Sequence, residues 1–140
     1  MSVNDIDYYE KEATEDLTCP KDGGRLDISG YSVRLGLLRA KWARYLYQEE
    51  SVLNDTQQEL NTIYSEKYMF YNYDYEYSVD KKDIPILIKG NPEYKVAEKV
   101  LKTQEQKVKF INEVLSALNS QSFYLNTAMK HILWQSGETA

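Results

Sequence analysis

Residues 64–77, YSEKYMFYNYDYEY, hold six of the chain's thirteen tyrosines together with Phe70. An aromatic row with so few aliphatics makes a poor core. It makes a good platform for planar ligands, nucleic-acid bases above all, because every base presents a π-face. Tyr64, Tyr68 and Tyr71 recur at i, i+4, i+7, the spacing of one helix face. From Tyr71 onward, Tyr73, Tyr75 and Tyr77 alternate with Asn72, Asp74 and Glu76, which predicts a strand with four rings along one face. The alternative is that the rings pack on a helix or on a neighbouring subunit. Cations that could meet phosphate lie close by: Lys67 inside the row, and Lys81 and Lys82 just after it. Residues 34–44 add Arg34, Arg39, Lys41 and Arg44 with no acid among them, and residues 89–109 carry six lysines against three glutamates. A globally acidic chain can therefore still offer basic patches to phosphate.

Other chemistry lacks its residues. No G-x-x-x-x-G-K-[ST] stretch is present, which excludes an ATPase of the P-loop type. Cys19-Pro20 followed by Gly23 is half of a zinc knuckle, but one cysteine and one histidine cannot supply the usual four ligands. Gly23-Gly24 is too short to cradle phosphate. His131 has no nucleophile beside it, and Asp74 and Glu76, at i, i+2, lack further ligands in sequence. The sequence therefore predicts no catalytic residue, no metal and no cofactor.

The elements that must position the tyrosines follow from composition and periodicity. At 140 residues the chain is one domain, or one domain with an arm. No apolar run approaches the roughly 20 residues of a membrane span. The lone cysteine and the missing signal-peptide pattern predict an intracellular, reducing compartment. The net charge of −5 is uneven: residues 1–31 hold eight acidic and three basic side chains, and the remainder is balanced. That acidic stretch, with Pro20 and three glycines, predicts a largely irregular arm, by default solvated slack, with docking on a basic surface of the same chain or on a partner as the alternatives. Residues 32–140 then form a single helical domain. A first long helix is predicted over residues 32–71, about 60 Å of helix. Its heptad row Leu46, Leu53, Leu60 is joined by Trp42, Ile63 and Phe70, with Glu49 and Thr56 interrupting the second row. A short β-hairpin is predicted next, its second strand Ile84 to Ile88 confined to an edge by Pro85. The second long helix starts at Asn91 as N-cap with Pro92 at its first position and stops near Gly137. Its seam runs Ala97, Leu101, Gln104, Val108, Ile111, Leu115, Leu118, Ser122, Leu125, Met129, Ile132 in unbroken 3-4 spacing, a pattern of coiled coils and bundles. The predicted fold is mainly α: two long antiparallel helices forming an oligomeric bundle or coiled coil, with the hairpin between them. Leu115, Leu118, Leu125, Met129 and Ile132 are assigned to the contact between copies.

Three patches carry a family resemblance: Ala40-Lys41-Trp42, the stretch Glu66-Lys67-Tyr68-Met69-Phe70-Tyr71-Asn72, and Ala128-Met129-Lys130-His131-Ile132. A fourth, Tyr77-Ser78-Val79-Asp80, falls in a matching place between them. In this order and spacing the chain resembles the UvsY family, the recombination mediators of T-even-type bacteriophages and their marine relatives, over roughly residues 32–135. The resemblance implies a non-enzymatic protein that binds single-stranded DNA and assembles as a ring-like homo-oligomer. It implies partnership with a RecA-like recombinase, loaded in place of single-strand binding protein, in the cytoplasm of an infected bacterium. The family's Lys-x-Arg ahead of a tyrosine pair is tied to DNA binding; Lys67 matches the arginine and Ser65 stands at the lysine position. The DNA-binding residues expected are Lys67, Tyr68, Tyr71 and Tyr73, with Arg39, Lys41, Trp42 and Arg44, and with Lys81 and Lys82. The residues alone leave two other readings open: a coiled-coil structural or adaptor protein with no nucleic-acid role, and a small chaperone-like helical hairpin.

Overall fold

A computed structural model describes residues 4–18 and 28–135, excepting the side chains at positions 28, 29 and 132. Cys19, Pro20, Gly23, Gly24 and Gly137 lie outside the described residues. Among the described residues there are four α-helices: α1 (Ile6–Leu17), α2 (Ile28–Met69), α3 (Ile84–Gly90) and α4 (Pro92–Gln135). A π-helical turn, Phe70–Asp74, continues α2, and a 3-10 turn, Lys81–Asp83, leads into α3.

The β-hairpin is absent: no strand occurs among the described residues. Its second half is α3, and burial shows why. Ile84 and Ile88 are fully buried while Ile86 is exposed, a division with the period of a helix. Pro85, read as an edge-strand residue, falls in the first turn of α3, where a missing N–H costs no hydrogen bond. A lone two-stranded hairpin is marginal in water, whereas one helical turn after another satisfies its own backbone.

The chain divides into two compact units. The first comprises residues Glu49–Val108. In it the two long helices run antiparallel, since Glu49 meets Gln104 while Lys67, further along α2, meets Glu93 near the start of α4. Leu60, Ile84, Ile88, Leu101 and Val108 are buried here. So are three polar side chains, Glu49, Gln104 and Lys107. The Gln104 amide donates to the Glu49 backbone carbonyl at 2.9 Å, and Lys107 Nζ stands 3.6 Å from Glu49 Oε1. The polar interruptions of the two heptad rows thus meet one another. Asn91 caps α4 as predicted: its Oδ1 accepts from the N–H groups of Glu93 and Tyr94 at 3.0 and 3.4 Å.

The second unit comprises Ser2–Gln48 and Lys109–Ala140. Its core is Tyr9, Ala13, Leu35, Trp42, Ile111, Val114, Leu118 and Leu125. The irregular acidic arm predicted for residues 1–31 contains a helix, α1, capped by Asp5, whose Oδ1 accepts from the Tyr8 N–H at 2.9 Å. Tyr9 and Ala13, one turn apart, face inward. Acidity outweighed this thin apolar stripe in the sequence, and the helix is held by partners the local sequence does not contain. Arg34 donates to carbonyls at the C-terminal end of α1, and Gln121 donates to the Leu17 carbonyl. No helix among the described residues is long and apolar enough to cross a membrane.

Candidate nucleic-acid interface

In the unit formed by residues Glu49–Val108, the end of α2, the π-helical turn and the stretch after it gather the aromatic residues. Four rings form a chain of edge-on contacts. Centroids of Phe70 and Tyr71 lie 5.2 Å apart, Tyr71 and Tyr75 5.1 Å, and Tyr75 and Tyr77 5.7 Å. Edge-to-face pairing of this kind suits the ring quadrupole. The rings do not share one strand face. Tyr71 and Tyr75 are half-buried, whereas Tyr73 is 71% exposed and Tyr77 66% exposed. Met69 and Phe70 add further exposed apolar surface. A knot of rings braced on one another thus carries exposed rings outward, which is the form a stacking platform needs.

The nearest cations are differently placed. Lys67 Nζ lies 2.7 Å from Glu93 Oε2, and that hydrogen bond holds the ammonium above its usual titration range. Lys81 and Lys82 are exposed on the 3-10 turn, with only a long contact of 3.8 Å from Lys82 to Asp80. Tyr68 is half-buried on α2. Asn91 Nδ2 donates to the Tyr71 hydroxyl at 3.2 Å, so the residue that caps α4 also fixes a ring of the knot. The pairing of Glu93 with Lys67 and this second role of Asn91 were missed by sequence reasoning, because both act across the fold. Burial of Tyr94 raises its phenol, with Glu98 adding to the effect.

The remaining expected DNA contacts, Arg39, Lys41, Trp42 and Arg44, belong to the other unit. Trp42 is 0% exposed and so presents no face for stacking; it is core. Its indole N–H donates to Asp16 Oδ2 at 3.0 Å, and Tyr9 and Tyr45 pack around it with centroids 6.1 and 5.2 Å away. Lys41 is held by α1: it pairs with Glu12 and, at 2.8 Å, with Asp16. Burial lowers the Lys41 ammonium, but the bonds to Asp16 and Glu12 outweigh it and leave it raised. Glu12 is lowered, by Lys41 first and the Tyr8 hydroxyl second. The Tyr8 phenol is raised by its bonds to Tyr45 and Glu12. Arg39 and Arg44 are exposed on α2.

The residues assigned to contact between copies are also repositioned. Leu118 and Leu125 are buried inside their own unit and Leu115 is packed against the same core. Met129 is exposed, and the side chain of Ile132 lies outside the described residues. No group of three or more metal-ligating side chains occurs among the described residues.

Two long helices and two short ones, with no sheet among the described residues, define a long-helix, all-α protein. Solved structures share that architecture over almost the whole chain, and the fold is that of UvsY. The chain is similar to the bacteriophage T4 recombination mediator protein UvsY in two crystal lattices. The TM-scores are 0.79 and 0.80, with 10% sequence identity in each case. The matches cover 94% and 95% of this chain and 99% and 98% of those chains. No protein-family model matches the sequence. No curated protein matches it either.

Proposed function

We propose that this protein is a non-enzymatic recombination mediator. It binds single-stranded DNA as a homo-oligomer and helps a RecA-like recombinase replace single-strand binding protein, in the cytoplasm of a phage-infected bacterium. The observation that supports this reading is the exposed aromatic knot, flanked by lysines, on a chain with the fold of the phage T4 recombination mediator. Bases stack on Tyr73 and Tyr77. Tyr75 braces Tyr77 and is itself braced by Tyr71, and Lys81 and Lys82 neutralise phosphates. Tyr68, half-buried further back on α2, is assigned to the same site. Lys67 joins by exchanging Glu93 for a phosphate oxygen. Trp42 and Lys41 are left out of this site, since the first is core and the second is paired with α1. Assembly then repeats a weak contact along one strand, so that affinities multiply through effective concentration.

The test is fluorescence anisotropy with a labelled single-stranded oligonucleotide, with duplex of the same sequence as control. The wild-type chain is expected to prefer the single strand. A Tyr73→Ala, Tyr77→Ala variant should lose roughly 5- to 150-fold per ring removed, the equivalent of about 1–3 kcal/mol per stacked base. Full affinity in that variant would remove the knot from the site. No binding by the wild-type chain at low salt would leave a helical scaffold as the better account.

A further inference from the structure

Three of the five residues that periodicity assigns to contacts between copies are used inside the chain: Leu118 and Leu125 are core, and Leu115 packs against it. Any contact between copies must therefore use surface that remains exposed. In the unit containing α1, two such surfaces have matching chemistry.

The first is the outer face of α2. Val33, Leu37, Ala40, Arg44 and Tyr47 follow one another at spacings of four, three, four and three, which sets them in a line along the helix. All five are exposed, Leu37 at 69%, and they lie opposite Leu35 and Trp42, which face the core. Gly36 and Ala40 keep this face low, with nothing within 4 Å of where a side chain at Gly36 would begin. Its one charge is Arg44, and residues 32–48 contain no acid at all.

The second is an open groove of about 470 Å³ between α1 and α4. Its floor is apolar, made by Ala13, Leu17, Phe110 and Val114, and the exposed carboxylates of Glu10 and Glu113 stand at its rim.

We propose that this groove seats the outer face of α2 from a second copy of the chain, with Leu37 entering the floor and Arg44 meeting Glu10. Charge complementarity selects this occupant: an apolar line with one cation fits an apolar groove rimmed by anions. The dimensions agree as well. Leu37 to Arg44 and Leu17 to Glu10 are each seven residues, about 10 Å of helix, so both ends engage when the two helices run antiparallel. Small residues at Gly36 and Ala40 let the backbones approach. The stripe and the groove are different patches, so the contact is heterologous. Each copy offers one and occupies the other, and the series either closes into a ring or continues as a filament. The inference rests on the homo-oligomer in the function proposed above and names the surfaces that build it.

Sedimentation velocity on the full chain over a range of concentrations tests it. Wild-type protein should sediment as an assembly. Leu37→Asp and Arg44→Glu, both at exposed positions, should sediment as monomers with unchanged helical circular dichroism. Combining Arg44→Glu with Glu10→Arg should restore the assembly. If the wild-type chain is assembled and both single variants remain so, these surfaces are not the interface and only this inference fails. The pairing of stripe with groove is overturned if the exchanged pair stays monomeric. A wild-type chain that is monomeric throughout overturns the homo-oligomer itself.

Discussion

Glu49, Gln104 and Lys107 show what single residues contribute to this hairpin of long helices. Each is buried, Glu49 at 2% exposure, where an unpaired charge would be costly. Gln104 and Lys107 answer Glu49 from the opposite helix. Removing one partner leaves the other charge in a dry site, so Glu49→Ala should cost about 3–5 kcal/mol of unfolding free energy, read by denaturant titration. Replacing both, with Glu49→Leu and Lys107→Met, should recover most of that loss, because a well-packed apolar pair removes the desolvation penalty. If the double variant is as unstable as the single, the pair does not account for the cost. The polar positions were legible in the sequence as interruptions of two separate heptad rows, at Glu49 and Gln104. That they meet was not legible, because register between two helices is fixed by contacts far apart in the chain. Lys107 gave no signal, since a lysine among other lysines reads as solvated surface.

At the scale of elements, α1 depends most on its charges. Glu12 sits below its ordinary range in the folded chain, so its contribution to stability is complete above the unfolded carboxylate value of about 4.3. That contribution is lost as pH falls through the lowered folded value. Lys41 is raised, so its share is complete below about 10.4 and is lost only as pH rises through the still higher folded value. The attachment of α1 should therefore be level through neutral pH and weaken on the acid side. Trp42 fluorescence in a Trp134→Phe background, followed through thermal unfolding from pH 7 to pH 3, should show the loss. Glu12→Gln should flatten that acid dependence, and an unchanged acid dependence would remove Glu12 from the account. Element boundaries were otherwise readable where caps are strong: Asn91-Pro92 marks the start of α4, and α2 begins four residues before its predicted start. The hairpin failed for a definite reason. Residues four apart share a face in a strand and in a helix alike, so Tyr71 with Tyr75, and Ile84 with Ile88, fit both. Only the residue between them discriminates, and Tyr73 and Ile86 are aromatic or apolar yet exposed.

At the scale of the whole molecule, the fold survives at 10% identity to T4 UvsY because heptad spacing, more than residue identity, specifies long paired helices. Binding should read out on the same scale. If Lys67, Lys81 and Lys82 each neutralise one phosphate, the log–log dependence of single-strand affinity on salt should have a slope of about −2 per chain. A slope near zero would remove phosphate from the account. The return of the chain from α3 into α4 passes through one asparagine, whose oxygen caps α4 while its nitrogen holds Tyr71. Asparagine ages chiefly by cyclising through the backbone nitrogen of the following residue, which must carry a hydrogen. Here that residue is Pro92, which carries none. The joint that both starts α4 and fixes the aromatic knot is therefore shielded, by its neighbour in sequence, from the commonest route of spontaneous chemical decay.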